Sequence, residues 1–382
     1  MTKPDSKPKL LYVVTEDWYF YSHRRPMARA AMDAGFNVEL ITNIDKHKEQ
    51  IEELGITIHP FSFERRSLNP VKALCQILAL RKMYKDINPN IIHHIAMKPI
   101  LYGSIAALGL KNIKTINAFA GLGYVFSATS AKATIIRAIM TTLFKFTLKG
   151  QIKHTLFQNN DDKALFEKLG LLKKENTHII KGSGVDLKQY EFSAPPERKN
   201  DNNPFIVTYA GRMISIKGLQ TLKETFEILK ETAPYIHLQL CGKPDEGNPE
   251  SLTQQQLEEW AKEPNVTWLG HCENMNDVWK QSHAAIQLSY GGEGIPKSLI
   301  EAAACGKPII ASASAGCKDM VTEGKNGYLA PIKDAKTSAE ALTKLSRDKN
   351  LNEQAQNSRK LVEEELAQEI VIEQTKQLYT TI

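Results

Sequence analysis

The sequence predicts a two-domain α/β protein in which each domain is built on a doubly wound parallel sheet. Three observations carry that reading. The 382 residues exceed one ordinary domain, and with 42% hydrophobic residues they can fill two cores. Short apolar runs of strand length alternate with helix-length segments from end to end, as parallel strands joined by crossover helices require. The alternation pauses once, over residues 191–204, where Pro195-Pro196-Glu197-Arg198-Lys199-Asn200-Asp201-Asn202-Asn203-Pro204 supplies turn formers and charge, and then restarts.

In the first half, Leu10-Leu11-Tyr12-Val13-Val14, Asn37-Val38-Glu39-Leu40-Ile41, Asn90-Ile91-Ile92-His93-His94, Lys114-Thr115-Ile116-Asn117 and Thr155-Leu156-Phe157-Gln158 read as strands. In the second, Phe205-Ile206-Val207-Thr208-Tyr209, His237-Leu238-Gln239-Leu240-Cys241, Val266-Thr267-Trp268-Leu269, Ala285-Ile286-Gln287-Leu288 and Ile309-Ile310-Ala311 repeat the theme without a sequence-level repeat. The predicted division is a first domain over 1–190, a linker over 191–204, a second domain over 205–365, and a terminal helix over 366–382 that packs back on the first domain. Ligand sites in such sheets belong at the carboxyl ends of the strands.

Five cysteines, Cys75, Cys241, Cys272, Cys305 and Cys317, form no CxxC pair, and several lie in apolar runs, so a reducing cytoplasm fits and neither disulfide nor structural zinc is expected. The first ten residues are polar and lysine-rich, and no uncharged apolar run of about eighteen residues occurs. A soluble or peripheral chain is expected, on the cytoplasmic face of the inner membrane if peripheral. The formal net charge of +6 would serve phosphorylated ligands, an anionic membrane surface or nucleic acid. Nucleic acid is disfavoured, because no basic block, zinc finger or aromatic RNP-type strand accompanies the charge.

The most informative stretch is Glu293-Gly294-Ile295-Pro296-Lys297-Ser298-Leu299-Ile300-Glu301. A strand ending near Ser289 is broken by Gly291-Gly292, and Pro296 is predicted at the first helical position, with Gly306-Lys307-Pro308 as the stop. A strand–glycine turn–helix unit presents free N–H groups and a positive helix end, and so favours phosphate. Glu293 lies in the turn and Glu301 about two helical turns along, so the pair reads as two separate hydroxyl acceptors. A second such element, Gly211-Arg212-Met213-Ile214-Ser215-Ile216-Lys217-Gly218, follows the first strand of the second half, where a guanidinium and an ammonium can converge on one diphosphate.

Arg212-x4-Lys217 with Glu293-x7-Glu301 resembles the donor-site signature of retaining glycosyltransferases of family 4, with the GT-B fold of two Rossmann-like domains facing across a cleft. Gly182-Ser183-Gly184-Val185-Asp186, Ser314-Ala315-Gly316-Cys317-Lys318-Asp319 and Asn326-Gly327-Tyr328-Leu329-Ala330-Pro331 match as well, so the resemblance spans the chain. It implies that Arg212 and Lys217 neutralise a nucleoside diphosphate, that Glu301 accepts from the ribose, that Glu293 contacts the transferred sugar, and that residues Gly294, Ile295, Pro296, Lys297 and Ser298 supply further donor contacts. The nucleotide sugar would be a co-substrate, with UDP the expected nucleotide. No cofactor is implied, and the absence of any Asp-x-Asp leads to an expectation of metal-independent catalysis.

The first half would carry the acceptor. His23 and Arg24 sit where the chain after strand one becomes a helix, and His93, Lys98, Asn117, Gly121 and Gly123 follow strand ends. The Lys98-Pro99-x-x-Tyr102-Gly103 and Gly121-Leu122-Gly123 pieces are similar to a bacterial subgroup that extends polyprenyl-diphosphate-linked surface glycans. Asn117 falls where many members have histidine, so His93 is the expected residue for orienting the donor sugar. Segment 133–149 sets Arg137, Lys145 and Lys149 largely opposite Ile135, Ile139, Leu143 and Phe146: a sheet-covering helix, or a basic surface for anionic lipid. Two rivals stand: a GT-B epimerase acting on UDP-N-acetylglucosamine, and a nucleotide-sugar-binding protein without catalysis.

Overall fold

A computed structural model describes residues 7–63, 69–127, 130–149, 153–198 and 203–382. The chain forms two compact units, residues 1–183 with 369–382, and residues 184–368. It therefore crosses from one unit to the next before the Pro/Asn-rich stretch. Residues 190–198 pack on the second unit instead, where Lys307 Nζ donates to Ser193 O at 2.8 Å.

The first unit runs β1 (Lys9–Glu16), α1 (Asp17–His23), α2 (Arg25–Asp33), β2 (Asn37–Asn43), α3 (Lys48–Glu52), β3 (Thr57–Pro60), α4 (Pro70–Ile87), β4 (Ile91–Ile95), α5 (Met97–Ala106), β5 (Lys114–Phe119), α6 (Gly123–Ser127), α7 (Ala131–Thr147), β6 (Lys153–Phe157), α8 (Asn160–Lys168) and β7 (Thr177–Ile179). Its strands make one parallel sheet in the order β3-β2-β1-β4-β5-β6-β7, so the winding reverses between β1 and β4. Strands buried on both faces explain their unbroken apolar runs. β3 and β7, absent from the sequence reading, are short edge strands that never bury a full apolar face.

β1 passes directly into α1, so the loop expected before residues 22–26 is a helix, and Arg24 is the junction between α1 and α2. The buried carboxylate of Asp17 fixes this start: its oxygens accept from the backbone N–H groups of Trp18, Asp45, Lys46 and His47 at 2.6–2.9 Å. α7 also corrects the sequence reading. It buries Ala133, Met140 and Phe144, whereas Ile135, Ile139 and Phe146, assigned to its sheet-facing side, are exposed.

The second unit comprises β8 (Phe205–Ala210), α9 (Leu219–Thr232), β9 (Ile236–Cys241), α10 (Gln254–Trp260), β10 (Val266–Gly270), α11 (Met275–Gln281), β11 (Ala284–Gln287), α12 (Lys297–Ala304), β12 (Ile309–Ser312), β13 (Gly327–Ala330), α13 (Ala335–Ser346) and α14 (Leu351–Glu365). Its six-stranded parallel sheet has the order β10-β9-β8-β11-β12-β13, reversing between β8 and β11. The last helix, α15 (Gln368–Thr381), belongs to the first unit, where Val371, Leu378 and Tyr379 join the core built on Tyr12, Met27 and Val38.

Candidate active site

The strand-order reversal of the second unit puts the segments following β8 and β11 side by side, and nearly every donor-side residue read from the sequence lies there. After β8, residues 211–217 form a loop ended by Gly218, whose φ of +79° lies in the left-handed region. A Cβ there would sit 1.9 Å from Leu288 O just past β11, so only glycine lets the loop press on that strand exit. Tyr290 N donates to Ile216 O at 2.9 Å and closes the contact.

The result is an ion pair between Lys217 Nζ and Glu293 Oε1, both side chains largely buried. The other Glu293 oxygen, Oε2, is enclosed and has no hydrogen-bond partner among the described residues. A buried acceptor left unpaired is costly in a folded chain, and a ligand hydroxyl would satisfy it. Arg212 reaches outward, half exposed, and its Nη1 meets Asp245 Oδ2 at 3.2 Å, while its carbonyl takes the Tyr209 hydroxyl at 2.8 Å.

α12 begins at Lys297 with Pro296 as its N-cap, one residue later than the start predicted at Pro296. Leu299 N and Ile300 N both donate to Pro296 O, tightening the first turn, and Gly306 N and Lys307 N bond Ala303 O and Ala302 O to end the helix in a Schellman motif. The loop after β12 closes the other side. Gly316 lies so near Gly294 that a Cβ would fall 1.8 Å from its carbonyl oxygen, and Ser312 Oγ donates to Ser289 O at 2.6 Å.

Glu301 is buried in α12, with Oε1 3.7 Å from Lys297 Nζ. Burial raises its carboxyl above the ordinary range, against the opposing pull of Lys297 and Tyr190. Glu293 and Glu301 thus occupy different surroundings, one salt-bridged in a turn and one buried on a helix beside Lys297, and do not form an acid/base dyad.

In the first unit, His93 and its neighbour point to opposite faces of β4. His93 is buried, with Nδ1 2.7 Å from Tyr379 Oη and its ring stacked on Tyr12; burial, then Arg24 and His94, holds its pKa well below the ordinary value. Asn117 faces the other way. It is wholly enclosed, and its Oδ1 accepts from Ser104 Oγ at 3.0 Å and lies 2.8 Å from His94 Nδ1, so it orients His94 inside the core and does not face an acceptor. His23 stacks on Tyr19 and contacts Ser22 Oγ at 2.6 Å; Lys98 lies over the Tyr102 ring at 5.9 Å. Gly121 and Gly123 take positive φ in the turn after β5.

Sequence reasoning missed Tyr379, Tyr190 and the turn between β4 and α5, where Ala96 has φ 74° and ψ 163°. That backbone region is nearly restricted to glycine and costs a non-glycine residue about 1–3 kcal/mol. Nothing in the local sequence marks it.

Two parallel-sheet units, the second carrying cations, separated carboxylates and a helix N-terminus at its topological switch point, define a glycosyltransferase of the GT-B fold class. The chain carries domains of two glycosyltransferase families: the glycosyl transferases group 1 model matches residues 191–361, and the glycosyl transferase 4-like model matches residues 9–159. It is 28% identical over 340 residues to the N,N'-diacetylbacillosaminyl-diphospho-undecaprenol alpha-1,3-N-acetylgalactosaminyltransferase of Campylobacter jejuni, covering 87% of each chain. A UDP-Gal:alpha-D-GlcNAc-diphosphoundecaprenol alpha-1,3-galactosyltransferase of Escherichia coli is 23% identical, with 77% of this chain and 76% of that one covered. Among solved structures, the sucrose-phosphate synthase of Thermosynechococcus elongatus superposes with a TM-score of 0.79 at 20% identity, covering 98% of this chain and 99% of that one. Anabaena Alr3699/HepE in complex with UDP and glucose gives 0.77 at 16%, covering 98% and 100%.

Proposed function

We propose that the protein transfers a hexose or N-acetylhexosamine, with retention, from a UDP-linked sugar to a polyprenyl-diphosphate-linked saccharide during assembly of a bacterial surface glycan. The observation that carries this reading is the buried Lys217–Glu293 pair at the switch point, with one carboxylate oxygen unpartnered. Breaking an anomeric C–O bond develops negative charge on the departing diphosphate. A fixed ammonium and a helix N-terminus stabilise that charge more in the transition state than in the ground state. Lys217 and Arg212 take the diphosphate, Glu293 Oε2 a hydroxyl of the transferred sugar, and Glu301 the ribose. The reaction as read uses these cations in place of a metal clamp, in keeping with a sequence that lacks Asp-x-Asp. The acceptor class rests on the likeness to the two undecaprenol-dependent transferases.

The deciding assay incubates the protein with a panel of nucleotide sugars and membrane lipid extract and scores released nucleoside diphosphate. Release that requires lipid supports the transfer. Epimerised nucleotide sugar without lipid, or binding without turnover, would replace it with one of the two rivals.

Glu301→Gln should weaken UDP binding by roughly ten- to a hundredfold, the worth of one or two hydrogen bonds to a charged acceptor. Because Glu301 has a raised pKa in the folded unit, its contribution to stability is present in acid and is lost as pH rises through that pKa. Ribose hydroxyls favour the ionised form, so UDP affinity should fall as pH drops through the Glu301 pKa. Calorimetric titrations of wild type and Glu301→Gln across pH check this; a parallel pH dependence in both would remove Glu301 from the donor site.

Membrane contact is part of the same proposal. From Arg65 to Asn160 the sequence carries fourteen Lys and Arg but one acidic residue, Asp86. On that stretch α4 exposes Val71, Leu74 and Leu78, and α7 exposes Ile135, Ile139 and Phe146, the last 73% accessible. Apolar side chains on a stretch with a large excess of positive charge suit the headgroup boundary of an anionic bilayer. No helix among the described residues is long and apolar enough to cross a membrane. Flotation with vesicles containing anionic lipid should retain wild type and lose the Arg137→Glu, Lys145→Glu, Lys149→Glu triple variant. Equal flotation would reject α7 as the anchor.

A further inference from the structure

Arg24 is buried, and among the described residues no carboxylate neutralises it. Only 5% of its surface is accessible, it makes no ion pair among the described residues, and its Nε is enclosed without an acceptor. Enclosing an unpaired cation is among the costliest things a fold can do, so the position asks for an anion.

His93 presents the same condition beside it. Its Nε2 is enclosed and unpartnered, and its Nδ1 is occupied by Tyr379. The protonation of that ring follows from the chain of contacts. Tyr12 Oη lies 2.6 Å from Tyr379 Oη, and no other acceptor for the buried Tyr12 hydroxyl is present among the described residues, so Tyr12 donates to Tyr379 and Tyr379 donates to His93 Nδ1. Nδ1 is therefore an acceptor and Nε2 carries the proton.

Arg24, His93, Gln158, Gly182, Thr375 and Tyr379 line one pocket. It lies between the carboxyl ends of the strands and α15, and Tyr12 and His93 stand on β1 and β4, the two strands between which the sheet order reverses. That is where a ligand belongs in an open parallel sheet. A cation and a neutral N–H donor, both enclosed and both unsatisfied, share it.

We propose that the Arg24–His93 pocket is an oxyanion site that receives a phosphoryl oxygen of the acceptor, with Tyr379 as the positioning residue that keeps His93 Nε2 protonated. This rests on the acceptor reading above and gives His93 a different task from the donor-sugar contact that the family resemblance implies.

The test uses the full chain with UDP held saturating, so that the donor site of the second unit is filled, and inorganic pyrophosphate as the probe. Wild type should gain thermal stability with pyrophosphate, and the His93 Nε2 resonance in a 15N-histidine spectrum should shift. Arg24→Met should lose both responses, yet melt above wild type without ligand, because an uncompensated buried charge has gone; a structural arginine would lower the melting temperature. Tyr379→Phe should move the His93 tautomer, and Arg24→Lys should restore part of the pyrophosphate response. A pyrophosphate response retained in Arg24→Met, or a His93 Nε2 that pyrophosphate leaves unmoved in wild type, overturns the site. Loss of pyrophosphate binding in Arg24→Met with an unchanged KM for lipid acceptor also overturns the proposal, assigning the pocket to free phosphate. Failure of lipid-dependent turnover in wild type, with pyrophosphate binding intact, overturns the acceptor reading and leaves the pocket an anion site.

Discussion

Lys217→Ala is expected to lower kcat by roughly 10²–10³-fold, the usual loss when one preorganised donor to a developing negative charge is removed. The Michaelis constant for the donor should change far less, because the ammonium does most of its work as the diphosphate leaves. One complication is predictable from the geometry. Lys217 and Glu293 are 16% and 13% accessible, and Glu293 Oε2 has no partner, so removing the lysine leaves a buried carboxylate with no counter-charge. Breaking one side of such a pair costs about 3–5 kcal/mol of stability. A fall in activity could then report unfolding. Lys217→Met combined with Glu293→Gln separates the two effects, since it removes both charges and keeps their volume. The double variant should recover most of the melting temperature and none of the turnover. Wild-type kcat in folded Lys217→Ala would overturn the assignment of Lys217 to the leaving group.

How much of this was legible before the structure depends on whether the signal was local. Ten strands announce themselves as apolar runs, but β3, β7 and β13 are edge strands of three or four residues in which polar residues, half-buried positions or glycine erase the pattern. The donor turn was readable because glycines, Pro296 and the charges on either side are punctuation that few other structures need. That Lys217 pairs with Glu293 was not readable: the two are brought together by the parallel order β8–β11, a property of the sheet. The same holds more strongly for Tyr379 on His93, which joins residues 286 apart in sequence through the return of α15 to the first unit. Asn117 shows the opposite failure. Its place at a strand end suggested a ligand contact, but the side-chain alternation sends it into the core toward His94 and Ser104. The basic stretch from Arg65 to Asn160 was present in the sequence throughout, hidden inside a modest net charge of +6.

The same dependence of the donor site on tertiary contact makes Gly218→Ala the second large prediction. Two costs arise together. The left-handed φ of +79° costs an alanine about 1–2 kcal/mol. More importantly, its Cβ would fall 1.9 Å from Leu288 O and 2.4 Å from the carbonyl carbon, both backbone atoms that cannot rotate away. The loop must lift from the exit of β11, carrying Lys217 away from Glu293. A displacement of about an ångström in a catalytic group is enough to cost on the order of 10² in rate, so turnover should fall by about that factor although no functional side chain has been touched. Gly270→Ala supplies the comparison: its φ of +69° is equally left-handed, but nothing lies within 4 Å of the added methyl, so only the backbone cost applies. It should lower the melting temperature by a few degrees and leave kcat near wild type. If the two variants lose activity equally, backbone strain alone accounts for the effect, and the contact between the 211–218 loop and Leu288 is not what seats Lys217.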